Sequence, residues 1–419
     1  MKFITTLILA FYFLTSYSQI PDELPPILQT MEGEEINNLQ DWEANRDKLI
    51  KVFENEIYGR FPAGFMPSKS FVLQEIYNNA LDGTAIRKQV MIEISDPGKA
   101  GKVEIAMLIY LPVNHSGPVP VFLGLNFYGN HTIHPDPAIF LTDSWVRNNE
   151  EFGITDNKAN NASRGVRVSR WPVEYILSRG YGLATIYYGD IDPDFDDGFQ
   201  NGIHSLLGYE DERDVPGYGP GSIAAWAYGL SVAMDYFETD RDIDKDKVIV
   251  FGHSRLGKAS LWAGANDSRF AMVISNNSGC GGAALSMRKH GETVKAINDR
   301  FPHWFCDNFL KYNDNEDELP LDQHMLLGLI APRLLYVASA QEDDWADPYG
   351  EQLSAYLASR VYEDYNFEVN IPYEPVVVNL PYKYGRIGYH LRAGPHDIRA
   401  YDWEQYLDFA DFHFQKVSD

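Results

Sequence analysis

The stretch Val248-Ile249-Val250-Phe251-Gly252-His253-Ser254-Arg255-Leu256-Gly257-Lys258 constrains this chain more than any other. Its first four residues are apolar and mostly β-branched, as a buried strand requires. A turn of small residues follows, and then Ala259, Leu261, Trp262 and Ala263 resume at helical spacing. A strand, a tight turn carrying a serine and a helix form a nucleophile elbow, which makes Ser254 the candidate attacking residue of a hydrolase. The spacing is Gly-x-Ser-x-x-Gly, with Leu256 where the second glycine of the common motif falls. Serine in a glycine-rich turn is common, so the flanking strand and helix carry the inference.

An elbow of this kind belongs to a sheet, and the chain supplies one. Continuous apolar runs at 119–127, 181–188, 271–275 and 334–338 read as buried parallel strands, with a further strand at Pro375 to Leu380. Alternating residues between Phe71 and Leu111 read as antiparallel strands. Helical patterns begin at Asp41 (Trp42, Leu49, Ile50, Phe53, Ile57), at Ser222 as a cap, and at Asp402 with Gln405 placed for a capping box. Residues 130–170 lack periodicity, as a long inserted loop would. The expectation is an α/β-hydrolase fold: a mainly parallel central sheet flanked by helices, with N-terminal antiparallel additions, in one catalytic domain over residues 19–419.

Ahead of that domain, Met1-Lys2, an apolar run from Phe3 to Leu14, and small residues at Ser16 and Ser18 form a signal peptide over residues 1–18. The mature protein is therefore expected to be exported, periplasmic or secreted, and off the membrane, since the apolar run is shorter than the ~20 residues of a span. A net charge of −25 repels nucleic acid and anionic surfaces. A free polyanion is likewise disfavoured as substrate, whereas a neutral ester is not. Two cysteines, Cys280 and Cys306, could pair in an oxidising compartment or remain as buried thiols.

A serine nucleophile needs a histidine base, and the histidine needs a carboxylate. His396 is the candidate base because it follows the last strand, in the order nucleophile, acid, histidine of an α/β-hydrolase. His390 is its rival, otherwise a structural loop residue. His253 should point away from the nucleophile, and His303 belongs with the aromatic loop around it. The acid is sought after the strand ending at Ala338, among Glu342, Asp343, Asp344 and Asp347. Arg255 and Lys258 lie one helical turn apart beside the serine, either as solvated charge or as groups for an oxyanion and for sugar hydroxyls. No metal site is supported: the sequence has no His-x-x-x-His or Cys-x-x-Cys pair, and the acidic turn 190–197 lacks an EF-hand pattern.

With these residues in place, the chain resembles the glucuronoyl esterases of carbohydrate esterase family 15. The resemblance rests on Gly252-His253-Ser254-Arg255-Leu256-Gly257-Lys258, Ser278-Gly279-Cys280-Gly281-Gly282-Ala283-Ala284 and Gly291-Glu292-Thr293. It continues through Phe301-Pro302-His303-Trp304-Phe305, Trp345-Ala346-Asp347-Pro348 and Gly388-Tyr389-His390-Leu391-Arg392. It implies cleavage, without a cofactor, of the ester between 4-O-methyl-glucuronic acid of glucuronoxylan and lignin alcohols. Carried over, Ser254 is the nucleophile, His396 the base and Arg255 an oxyanion ligand, while Lys258, Glu292 and Trp345 bind the uronate. Backbone N–H groups near Gly129 would complete the oxyanion site.

One departure matters. Many relatives place the acid after the strand following the elbow, where this chain has Asn276-Asn277-Ser278. Others place it after the next strand, at the position of Asp343. Asp343 is thus the expected acid, and Asn277→Asp is expected to be tolerated. Competing expectations are an acetyl xylan esterase or another polysaccharide side-chain esterase, and a non-catalytic carbohydrate-binding homologue. Nothing in the sequence requires an oligomer, and a monomer is expected.

Overall fold

The computed structural model describes residues 24–99, 101–209 and 214–414, so the expected signal peptide lies outside the described residues. The strands are β1 (Ser68–Ala80), β2 (Ala85–Ser95), β3 (Lys102–Pro112), β4 (Val119–Asn126), β5 (Gly182–Tyr187), β6 (Ile243–His253), β7 (Met272–Asn276), β8 (Leu334–Ala340) and β9 (Ile387–Arg392). They form one sheet in the order β1-β2-β3-β5-β4-β6-β7-β8-β9. β1, β2 and β3 pair antiparallel and join β5 antiparallel; from β5 to β9 every pairing is parallel. The helices are α1 (Leu39–Phe53), α2 (Val173–Ser178), α3 (Tyr188–Ile191), α4 (Ser222–Phe237), α5 (Arg255–Asn266), α6 (Val294–Arg300), α7 (Gln323–Gly328), α8 (Pro348–Asp364) and α9 (Ala400–Phe414).

The strands read as continuous apolar runs because both sheet faces are covered. Successive side chains point to opposite faces. Val121, Leu123, Val250, Val273 and Leu335 thus pack into the core shared with α4, α5, α7 and α8. Phe122, Ile249, Phe251, Ile274 and Tyr336 face α2 and α9 through Ile176, Trp403, Leu407 and Phe409. β4 lies between β5 and β6, so the chain order reverses there. In such a sheet the ligand crevice forms outside the carboxyl ends of the strands at this point. Those ends deliver the loops after β4, β6, β8 and β9.

Several boundaries differ from the sequence expectation. Residues 375–380 are irregular, and the last strand is Ile387–Arg392, which contains the Tyr389-His390-Leu391-Arg392 segment read as a loop. The final helix begins at Ala400 rather than Asp402. The Asp402 carboxylate, from the first turn, reaches back to accept from Arg399 N–H at 2.7 Å. Ser222 does not cap α4, because its hydroxyl donates to Asp192 at 2.6 Å. α1 is capped by Asn38, whose side chain accepts from Asp41 N–H. Residues 130–170 are mostly irregular, with short 3₁₀ turns. Cys280 and Cys306 are both buried free thiols, and burial pushes both of their pKa values up.

Candidate active site

The elbow is held by backbone crowding. Ser254 adopts φ 59 and ψ −131, a strained conformation for a residue with a side chain. A Cβ on Gly252 would lie 1.9 Å from Leu256 O, so only glycine fits there. The displaced second glycine also has a reason. Leu256 is fully buried in the core, whereas a Cβ at Gly257 would stand 3.1 Å from both Gly252 O and Ser278 Cβ. Close packing between α5 and the loop after β7 therefore favours glycine one place later. Ser254 N–H donates to Asn276 O at 2.8 Å, which ties the elbow to the end of β7.

His396 and Asp343 meet across the loops after β9 and β8, with His396 Nδ1 2.5 Å from Asp343 Oδ2. Asn277 Nδ2 donates to the same oxygen at 2.9 Å. Of the four carboxylates considered, Glu342 and Asp344 are exposed, and Asp347 caps α8 and pairs with Arg288. Asn277 is thus a partner of Asp343, and a carboxylate in its place would confront Asp343. The expectation that Asn277→Asp is tolerated does not survive this contact.

The histidine loop is braced from behind. The buried Arg392 guanidinium pairs with Asp402 at 2.9 Å and donates to the carbonyls of Ala393, Pro395 and Asp397. His390 is a buried strand residue between Asp402 (2.8 Å) and the Tyr336 hydroxyl (2.9 Å). Glu342 N–H donates to Gly394 O at 3.0 Å and joins the acid loop to the histidine loop. The His253 ring centroid lies 4.5 Å from that of His396. Its Nδ1–H donates to Asn276 Oδ1 at 2.6 Å. Burial, and then the nearby His396, push its pKa well down, so it adds no charge beside the base.

Arg255 is not solvated charge. Its guanidinium lies 4.4 Å from the Trp304 ring centroid, 5.1 Å from Phe301 and 5.8 Å from Phe127, and it pairs with buried Asp194. Lys258 is also buried; its ammonium donates to Ser278 O and stands 3.9 Å from Glu292. Desolvation lowers its pKa. Glu292 N–H donates to Trp345 O at 2.8 Å, and the Trp345 side chain is half exposed. Lys258, Glu292 and Trp345 are thus linked to one another, and the Arg255 and Lys258 cations both lie over the Trp304 ring, at 4.4 and 5.9 Å from its centroid. Gly129 N–H, by contrast, is already donated to Asn126 Oδ1 at 2.8 Å, which removes it from the expected oxyanion donors. At the start of α5, Gly257 N–H and Lys258 N–H turn back to Ser254 O at 2.8 and 3.3 Å, which leaves the N–H groups of Arg255 and Leu256 at the elbow.

Asp194 and Glu351 are buried carboxylates beside the site that the sequence does not single out. Asp194 lies in the turn recognised only as acidic, and it receives His303, Trp304, Arg147, Tyr188 and Arg255. Glu351 on α8 is fully buried and accepts from Ser278 N–H (2.7 Å), Gly279 N–H (3.0 Å) and Ser339 Oγ (2.6 Å). Neither has a sequence signature, because both act on backbone groups or residues distant in the chain. Among the described residues, no three His, Cys, Asp or Glu side chains converge as metal ligands would.

The family model described as glucuronyl esterase, fungi, matches residues 216–366. Carbohydrate esterase MZ0003, from an unknown prokaryotic organism, is 52% identical over 402 residues, covering 94% of this chain and 91% of its own. The solved structure of a promiscuous CE15 esterase from a marine bacterial metagenome superposes with a TM-score of 0.86 at 51% identity, over 95% of this chain and 98% of that one. The glucuronoyl esterase of Solibacter usitatus also gives a TM-score of 0.86, at 44% identity over 94% of this chain and 99% of that one.

Proposed function

The chain belongs to carbohydrate esterase family 15, the glucuronoyl esterases, and from that membership we propose that Ser254, His396 and Asp343 are its catalytic triad. The enzyme is a carboxylic ester hydrolase that cleaves esters of (4-O-methyl-)glucuronic acid. The observation that carries the residue assignment is the 2.5 Å contact between His396 Nδ1 and Asp343 Oδ2, delivered to the elbow edge of the sheet.

In this reading Asp343 fixes the Nδ1–H tautomer of His396 and leaves Nε2 to take the Ser254 proton. Ser254 Oγ then attacks the C6 carbonyl of the uronate. The Arg255 guanidinium and the backbone N–H groups of Arg255 and Leu256 stabilise the oxyanion, a contribution that strengthens as charge develops. His396 returns the proton to the departing alcohol, and water releases glucuronate through the same steps. Lys258, Glu292 and Trp345 hold the sugar: two buried charges for its hydroxyls and an exposed indole for its ring face. The natural esters are those joining glucuronoxylan to lignin alcohols. The protein acts as an exported monomer; among the described residues no helix is long and apolar enough to cross a membrane.

Hydrolysis of benzyl glucuronate compared with 4-nitrophenyl acetate tests the reading. The uronate ester is expected to have the higher kcat/KM, and preference for the acetate would move the enzyme to the acetyl esterases. Uronate binding without turnover would indicate a non-catalytic homologue.

A further inference from the structure

We propose that Asp194 is the positioning residue for Arg255 and that it couples the inserted 130–170 segment to the oxyanion site. The proposal rests on the reading of Arg255 as an oxyanion ligand. The Asp194 side chain is wholly excluded from solvent, yet it sits in no motif. Its Oδ1 accepts from His303 Nε2 at 3.0 Å and Trp304 Nε1 at 2.8 Å. Its Oδ2 accepts from Tyr188 Oη at 2.9 Å, Arg147 Nη2 at 3.0 Å and Arg255 Nη1. A carboxylate offers about four lone-pair sites, so this one is saturated. Burial alone would raise its pKa, but the His303 hydrogen bond and the Arg255 charge override that and hold it well below the ordinary range. Five donors and a cation around it favour the anionic form.

Arg255 needs such an anchor. A long side chain with a mostly buried cation is costly without a counter-charge. Aromatic rings from Trp304, Phe301 and Phe127 lie 4.4, 5.1 and 5.8 Å from it but supply no formal counter-charge. Asp194 holds one end of the guanidinium, whereas the buried Nε–H has no hydrogen-bond partner among the described residues. A guanidinium fixed at one end by a buried anion suits a group that must meet an oxygen whose charge appears only in the transition state.

The same carboxylate receives Arg147 from the inserted segment. That segment is further pinned to the Asp194 turn by Tyr187 Oη donating to Trp145 O at 2.8 Å and by Trp145 packing on Phe195 at 4.9 Å. The insertion and the arginine thus share one anion.

A double-mutant cycle on full-length enzyme with benzyl glucuronate tests this. Asp194→Asn is expected to lower kcat about 10- to 100-fold, with KM changing less than about threefold. In an Arg255→Ala background the same change should cost less than about twofold, because a positioning residue has nothing left to position. Losses that multiply independently would overturn the proposal, as would full kcat with only a lowered Tm. Should Asp194→Asn fail to fold, Tyr188→Phe removes one donor and keeps the ring. It should lower kcat about two- to fivefold in wild type and not in Arg255→Ala; equal loss in both would overturn the proposal. Wild-type kcat in Arg255→Ala alone would instead refute the oxyanion reading, so the two failures are distinguishable.

Discussion

Glu351 sits behind the proposed acid, and its protonation should write itself into the stability of the enzyme. Burial pushes its pKa from an ordinary 4.5 to about 7, against hydrogen bonds from Ser339, Gly279 and Ser278 that favour the anion and with the Asp343 charge adding to the rise. Because the folded state binds this proton more tightly than the unfolded chain, stability falls as pH climbs from about 4.5 through about 7. A shift of that size costs about 2 to 3 kcal/mol between about pH 5 and about pH 8. Glu351→Gln removes the titration and keeps an acceptor for the Ser278 and Gly279 N–H groups, while the Ser339 hydroxyl can turn to accept from the new amide. Urea unfolding of both proteins at the two pH values isolates the effect, since Asp190 and Asp322, also raised to about 6, titrate in both. The unfolding free energy of wild type should fall by about 2 to 3 kcal/mol more than that of Glu351→Gln. Parallel pH dependence in the two proteins would refute the assignment of a raised pKa to Glu351.

The remaining predictions concern the loops after β7 and β8. Asp343→Asn should lower kcat about 10³- to 10⁴-fold on benzyl glucuronate with little change in KM, because His396 loses its tautomer control; near-full activity would exclude Asp343 as the acid. Asn277→Asp places a second carboxylate against Asp343 Oδ2, where the amide now donates at 2.9 Å. The paired carboxylates should share a proton and move the acidic limb of the pH–rate profile upward, and an unmoved limb would contradict the contact. Native enzyme should be silent to a thiol reagent such as DTNB, because Cys280 and Cys306 are buried thiols with raised pKa values. Both should react after denaturation.

The parallel half of the sheet was legible because its strands are buried on both faces and therefore read as unbroken apolar runs. The last strand was misplaced because Ile387–Arg392 carries His390 and Arg392, polar residues buried only by virtue of Asp402. A sequence pattern cannot distinguish a buried ion pair from a polar loop. The same limit hid Asp194 and Glu351. Their partners come from segments far apart in the chain or are backbone N–H groups, and neither kind leaves a local motif. Ser222 and Asp402 were read as caps from their residue type. Local propensity gave way there to tertiary partners, Asp192 for the one, and for the other a first-turn position facing Arg392 and His390. By contrast, Ser254 and His396 stand out as candidates because strand ends in a parallel sheet fall at one edge, whereas chain order leaves four carboxylates open and only the family resemblance singles out Asp343.

Ser254 is the proposed nucleophile of this glucuronoyl esterase. The most direct measurement is kcat for benzyl glucuronate hydrolysis by Ser254→Ala beside wild type, with the fold of both checked by circular dichroism. A loss on the order of 10⁵- to 10⁶-fold in a folded protein is expected. Folded Ser254→Ala that turns over within about tenfold of wild type would contradict it.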